Sequence, residues 1–209
     1  MSSVLRGEIT HPRISAVILA AGTSRRMGQP KQLLPMGEST MLAQTIENLF
    51  AAELEEIVLV LGSFAETIQR NLSSQLLQRL KIVLNHSYEQ GIAGSLRVGL
   101  SSVDPRSSAA LIVLGDQPFV HPRTLDLIVH EYRRSRAKIA VPVYREQRGN
   151  PVLLDRSVFA EAMALEGDVG CRAIFPQHLK EIMNVKVEDS GVLLDVDDPA
   201  DYQRLNTKK

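Results

Sequence analysis

A basic, glycine-bearing stretch that could grip a polyphosphate follows the first apolar run of this chain: Leu19-Ala20-Ala21-Gly22-Thr23-Ser24-Arg25-Arg26-Met27-Gly28-Gln29-Pro30-Lys31. Gly22 and Gly28 permit backbone angles that other residues resist, so successive N–H groups can turn toward one anion. Arg25, Arg26 and Lys31 add the positive charge that a triphosphate needs and a folded core does not. Two commoner phosphate loops are excluded by spelling. A P-loop ends in Gly-Lys-Ser/Thr, whereas Gly28 is followed by Gln29-Pro30-Lys31-Gln32, and Pro30 has no N–H to offer. A dinucleotide fingerprint requires Gly-x-Gly-x-x-Gly, and Ser24 stands where its second glycine belongs.

Carboxylates supply the complementary chemistry. Gly115-Asp116-Gln117-Pro118 follows a wholly apolar run, so Asp116 is a hard oxygen ligand placed for Mg²⁺ beside a triphosphate held by Arg25 and Lys31. Taken without the basic loop, Asp116 could equally cap the turn before Pro118. Near the C-terminus, alternation along Leu194-Asp195-Val196-Asp197-Asp198-Pro199 puts Asp195 and Asp197 on one side of an extended segment. Asp197 is the expected second metal ligand, with Asp195 as the alternative. Asp198 and Asp201 are better explained as acids at the start of the last helix. The loop from Tyr88 to Arg97 has glycines that free its backbone to read a flat base edge. Gly94 and Ser95 are assigned there, Arg97 is allowed a phosphate role, and a helix cap explains Ser95 as well.

These groups need a scaffold that brings distant loops together. Apolar runs at 16–19, 57–61, 81–84, 109–114 and 139–143 read as buried strands. Helical spacing occupies 40–50 behind Ser39 or Thr40 as N-cap, 65–80 wholly or in part, 94–103, and 122–136 with Pro122 in its first turn. Such alternation predicts an α/β fold, a mostly parallel sheet with helices on both faces, whose ligands sit beyond the carboxyl ends of the strands. After Gly149 the alternation loosens into short strands at 151–154, 182–187 and 192–194 around a helix at 157–165. The expectation is a leader over 1–13 and one domain over 14–206, with a nucleotide half to about 145 and an acceptor half beyond it.

The loop over 19–31 resembles the signature of nucleotidyltransferases with a Rossmann-like, GT-A-type fold. It is most similar to the MobA-like NTP transferases that add a nucleotide to the molybdopterin cofactor. The resemblance runs from Ile14 to Tyr202, with motifs in the family's order. It implies that Leu19 to Arg25, Lys31, Gly94, Ser95 and Asp116 bind nucleotide, and that Arg25, Lys31 and Asp116 are catalytic. Arg148-Gly149-Asn150-Pro151 resembles an acceptor motif in which His often stands at the Asn150 position. Gly167-Asp168-Val169-Gly170-Cys171-Arg172 resembles a second acceptor segment. The implied acceptor set is therefore Gln117, Pro118, Gly149, Asn150, Pro151, Asp168 and Arg172. Members spelled Leu-Ala-Ala-Gly, as at 19–22, tend to use CTP, and Leu-Ala-Gly-Gly accompanies GTP. The implied reaction is CMP transfer from CTP to the terminal phosphate of the molybdopterin cofactor, with Mg²⁺ and release of pyrophosphate. The branch also suggests a molybdenum-enzyme client or chaperone as partner. A sugar- or polyol-phosphate acceptor, and a non-catalytic cofactor carrier, are the competing readings.

Composition sets bounds on both. With 209 residues, 44% hydrophobic and 23% charged, the chain is that of a globular protein with one sizeable core. A net charge of +0, no Trp and 4% aromatics argue against a nucleic-acid surface. Apolar runs are strand-sized, so no membrane span is expected, and residues 1–13 lack the apolar centre of a secretory signal. Cys171 is the single cysteine and cannot form an internal disulfide, which suits a reducing cytoplasm. No base is evident to make it a nucleophile. The five histidines, His86, His121 and His178 among them, show no ligand spacing and are expected at the surface or at caps.

Overall fold

The computed structural model describes residues 11–206, so the expected leader lies almost wholly outside the described residues. The strands are β1 (Ile14–Ala20), β2 (Pro35–Met36), β3 (Ser39–Thr40), β4 (Glu56–Leu61), β5 (Lys81–Leu84), β6 (Ala109–Leu114), β7 (Ile139–Tyr144), β8 (Gln147–Arg148), β9 (Val152–Asp155) and β10 (Ile182–Lys186). The helices are α1 (Met41–Phe50), α2 (Ala65–Asn71), α3 (Ser74–Gln78), α4 (Ile92–Ser102), α5 (Pro122–Ser135), α6 (Phe159–Met163) and α7 (Pro199–Asn206).

One mixed sheet runs β10-β7-β9-β6-β1-β4-β5, with β8 paired to β7. β1 pairs in parallel with both β4 and β6, and β4 with β5. β9 is antiparallel to both β6 and β7. From β1 the chain winds outward to β4 and β5, then returns across α4 to β6 on the other side of β1. The tips of β1 and β6 therefore border a topological switch point, where open sheets bind ligands.

Side chains alternate across the sheet. Ala16 and Ile18 of β1 pack with Leu42 and Ile46 of α1 and with Ile128 and Tyr132 of α5. Val17 faces the opposite layer with Leu96 and Leu100 of α4 and Phe159 of α6. Both faces are covered because β1, β4 and β6 are apolar at nearly every position, and a half-solvated sheet would leave one set exposed. Gly99 is required where α4 crosses β1, since a Cβ there would lie 2.3 Å from Val17 Cγ1.

Residues 65–80 are helical in part, as expected, forming two helices rather than one because Leu72 is extended and Ser73 starts α3 by accepting from Leu76 N. Several other local expectations change. α4 begins at Ile92 rather than 94. Only 159–163 of the expected helix over 157–165 is α-helical, behind a 3₁₀ turn at Arg156–Val158. The expected strand at 192–194 is a 3₁₀ turn, Ser190–Leu193. Asp189 explains it: its carboxylate accepts from Gly191 N at 2.8 Å and also from Thr124 Oγ1 and His121 N, which curls the chain under α5. No helix among the described residues is long and apolar enough to cross a membrane.

Candidate active site

The phosphate-type loop leaves β1 at Ala21 and makes two short 3₁₀ turns, Arg25–Met27 and Lys31–Leu33. Ser24 sits in the left-handed region at φ 50°, an unusual conformation for a residue with a Cβ. Its side chain shows what holds it there. Ser24 Oγ accepts from Lys31 N at 3.1 Å and donates to Gln32 Oε1 at 3.3 Å. Gln32, buried, donates in turn to Ala20 O at 3.2 Å, tying the loop's far end back to the strand. Gly28, at φ 65°, closes the first turn.

This closure delivers Lys31 to the mouth of the switch point. Its ammonium lies 2.5 Å from Asp116 Oδ2, 3.1 Å from Asp197 Oδ1 and 3.3 Å from Val196 O. Asp116 is carried by the end of β6, and Val196 N bonds to Asp116 O at 3.3 Å, which draws the C-terminal acids alongside. Burial pulls the Lys31 pKa down, but the Asp116 charge and the hydrogen bonds to both carboxylates outweigh it and leave the pKa raised. Burial pushes Asp197 up, and Lys31 and Arg26 more than reverse that. Arg26 reaches Asp197 from solvent at 3.3 Å, with its side chain 69% exposed. Arg25 is exposed and makes no ion pair among the described residues.

Around these groups lies a cleft of about 600 Å³. Leu19 to Arg26, Lys31, Asp116 and Asp197 line it on one side. Tyr88 to Ile92, Ser95 and Asp168 line it on the other. The loop after β5 folds back over the β4 tip, where a Cβ on Gly62 would lie 2.8 Å from Tyr88 Cβ and 2.6 Å from Ala21 O, so Tyr88 stands beside the phosphate-type loop. Ser95 is buried and accepts from Asn85 Nδ2 at 3.0 Å, while Asn85 Oδ1 accepts from Ser87 N.

Some expected site residues fall elsewhere. Gly94 does not line the cleft. Arg97, allowed a phosphate role, does not line the cleft: its guanidinium donates to the carbonyls of Met163 and Leu165 at 2.8 and 2.9 Å. Asp168, expected on the acceptor side, lines the same cleft as Gly91 and Ile92. It accepts from Ile92 N at 3.4 Å, and Ala93 N bonds to Gly167 O at 3.2 Å. Gly91, at φ 102°, makes this approach possible, since a Cβ there would lie 2.3 Å from Gly167 C and O.

Asp195 accepts from Gln117 Nε2 rather than from Lys31, and burial and the neighbouring Asp116 charge raise its pKa. Gln117 and Pro118 are buried, and Gln117 Oε1 lacks a partner among the described residues. Gly149 packs under Val192, and Asn150 accepts from Arg172 Nη2 at 3.1 Å, so these two acceptor segments do meet. Cys171 is buried with its thiol pushed up to about 12 by desolvation, which suits no nucleophile. His178, expected at the surface or a cap, is buried between Glu161 and Glu181 at 2.7 and 2.9 Å.

Sequence reasoning placed the Tyr88–Arg97 loop at the site but passed over Gln32 and Asn48, which holds the loop after β6 through Pro118 O and Val120 O at 3.0 Å each. Gln32 directly follows Lys31 in a polar stretch between turns, a signal that was available. Asn48 lies on an amphipathic helix and carried none.

The arrangement suits a divalent cation in one specific way. Asp116 Oδ1 is buried without a hydrogen-bond partner, and Asp116 and Asp197 already converge on one positive centre. Among the described residues no group of three or more His, Cys, Asp or Glu could enclose a metal. Two carboxylates completed by phosphate oxygens and water is the pattern Mg²⁺ favours.

Comparison with known proteins follows the same lines. Residues 16–182 match the model of the MobA-like NTP transferase domain. The nicotine blue oxidoreductase of Paenarthrobacter nicotinovorans is 28% identical over 208 residues, covering 95% of this chain and 99% of that one. The molybdenum cofactor cytidylyltransferase of Escherichia coli is 25% identical over 189 residues, covering 90% and 93%. The crystal structure of Rv0371c from Mycobacterium tuberculosis superposes with a TM-score of 0.85 at 35% identity, over 94% of this chain and 100% of that one. A manganese complex of that protein superposes at 0.81.

Proposed function

The chain belongs to the MobA-like NTP transferase family of nucleotidyltransferases, and we propose that it transfers CMP from CTP to the terminal phosphate of the molybdopterin cofactor. The observation that carries this reading is Lys31 seated between Asp116 and Asp197 in a cleft of about 600 Å³ lined by the 19–26 loop. A phosphate oxygen of the acceptor attacks the α-phosphorus of CTP, the bond from that phosphorus to the bridging oxygen breaks, and pyrophosphate leaves. The acceptor is already anionic near neutral pH, so no protein nucleophile is required. Cys171, buried with a raised pKa, fits that picture.

The protein's work is alignment and charge. Arg25, exposed on the loop, and Lys31 face the triphosphate and stabilise the charge that develops on the α-phosphoryl and leaving oxygens. Asp116 and Asp197 would hold a divalent cation, for which Mg²⁺ is the proposed ion and whose contribution is neutralisation of phosphate charge. Tyr88 to Ile92, Ser95 and Asp168 enclose the nucleoside end. Asn150 and Arg172, which pair on the side of the acceptor segments, are assigned to the molybdopterin phosphate. CTP is preferred on the Leu-Ala-Ala-Gly spelling at 19–22. Ala21 is 4% exposed and backs onto Gly62, where a Cβ would meet Ala21 O at 2.6 Å, so the backbone beside the base is tightly set.

One similar protein is named an oxidoreductase, yet the loop here lacks the dinucleotide fingerprint and carries three basic residues instead. Label transfer separates the readings. With α-labelled CTP, label should appear in the molybdopterin product and not in sugar- or polyol-phosphate acceptors. Label in a sugar phosphate, or binding of cofactor without any transfer, would replace the proposal. So would hydride transfer from a nicotinamide cofactor.

A further inference from the structure

We infer that Lys31 is an exchangeable counter-ion: its ammonium holds Asp116 and Asp197 in the nucleotide-free chain and yields them to a divalent cation, moving onto the phosphates as it leaves. This deepens the proposed function and rests on that reading of the site. The geometry sets up a competition. Lys31 Nζ lies 2.5 Å from Asp116 Oδ2 and 3.1 Å from Asp197 Oδ1, so a cation that ligates these oxygens meets an ammonium in the same few ångströms. Two positive centres at that range repel, and desolvation at this half-buried spot strengthens the effect. Arg26 cannot substitute for Lys31, because it touches only Asp197 and does so from solvent.

A bare cation would therefore gain two carboxylates and lose by displacing an ammonium. A cation arriving with a triphosphate gains phosphate ligands as well, and it gives the freed ammonium a new anionic partner. Metal and nucleotide should then bind with positive coupling, each raising the other's affinity by the same factor. The exchange needs only a side-chain swing. Lys31 N is fixed by Ser24 Oγ, and the turn it opens is closed by Leu33 N to Pro30 O at 3.0 Å, so the backbone stays while the flexible stem moves. Asp116 Oδ1, buried and without a partner, supplies spare acceptor capacity to the incoming cation.

Mn²⁺ binding to the nucleotide-free full chain, measured by calorimetry or electron paramagnetic resonance, tests this without reference to turnover. Lys31→Met keeps the stem and removes the competitor, so it should bind Mn²⁺ about tenfold more tightly than wild type. A gain under about threefold, or a loss, overturns the inference. Should Lys31→Met fail to fold, acylation of Lys31 in the wild-type chain, read by mass spectrometry, serves instead. Saturating Mg²⁺ without nucleotide should raise labelling at Lys31, and unchanged labelling with the cation bound overturns the exchange. Absence of CMP transfer would fail the proposed function but leave these binding results standing, so the two failures are distinguishable.

Discussion

Replacing Asp116 with alanine should remove catalysis and leave the fold nearly untouched, and the structure says why both halves hold. The change breaks the pair with Lys31, but Lys31 keeps Asp197 at 3.1 Å and Val196 O at 3.3 Å and is not left unpaired. Pairs fully exposed contribute about 0–1 kcal/mol, and removing one partner of a fully buried pair costs about 3–5 kcal/mol. The two side chains here are 18% and 15% exposed, with a second acceptor remaining, so a loss of about 1–2 kcal/mol follows. Against that, Asp116 Oδ1 is a buried acceptor with no partner, and deleting such an atom relieves about 1–3 kcal/mol. The net lies within about 2 kcal/mol of zero, a shift in Tm of at most roughly 8 °C for a chain of this length. Turnover should fall at least about 10²–10³-fold, or about 3–4 kcal/mol in the barrier, because one preorganised charge is lost from the phosphoryl centre. Thermal unfolding and pyrophosphate release at saturating substrates read the two effects separately. Metal-dependent turnover within about tenfold of wild type in a folded variant would refute the reasoning. A fall in Tm of more than about 10 °C would show a structural role instead.

Three further outcomes are expected. Lys31→Ala should lower the rate at saturating CTP and cofactor about tenfold more than Arg26→Ala, a difference of about 1.4 kcal/mol. Lys31 is enclosed by both carboxylates while Arg26 is 69% exposed, and comparable losses would mean the loop acts as a diffuse positive field. Gly91→Ala should destabilise by about 1–3 kcal/mol and raise KM for nucleotide, because φ is 102° and the new Cβ would strike Gly167. An unchanged Tm and KM would contradict the docking of these two loops. His178 has its pKa raised by hydrogen bonds to Glu181 and Glu161, with Lys138 facing Glu181 at 2.9 Å. Its stabilisation is complete below the ordinary histidine pKa and fades as pH rises through the raised folded value, so His178→Gln should lose more Tm at about pH 5.5 than at about pH 9. Equal losses would show that the imidazole is not charged in the folded chain.

The parts of this fold that are legible in the sequence are those with strong local signals. The apolar runs at 16–19, 57–61 and 109–114 within β1, β4 and β6 suit only a doubly covered sheet, and the loop at 21–31 combines glycine with clustered basic charge. α1, with Thr40 at its N-cap, and α5, with Pro122 in its first turn, announced themselves by capping chemistry. The misreadings arose where tertiary contacts override local pattern. Residues 192–194 alternate like a strand, yet the Asp189 carboxylate curls them into a turn. Arg97 looked like a phosphate ligand in isolation, and Asp168, which does line the cleft, was expected among the acceptor segments. What decides them is the packing of α4 against the 163–168 segment, which takes Arg97 away and brings Asp168 in. No spacing in the chain encodes that encounter. The Lys31–Asp116–Asp197 cluster lies between: each residue was visible as a charge, but that the lysine sits on both carboxylates follows only from closure of the Ser24–Gln32 turn.

Pyrophosphate release with each of the four NTPs, with and without the molybdopterin cofactor, tests the central claim most directly. The account predicts release that needs CTP, a divalent cation and the cofactor together, with the other three nucleotides at least about tenfold slower. Release that is indifferent to the cofactor, or its absence with every nucleotide in a folded and metal-supplied protein, would contradict it.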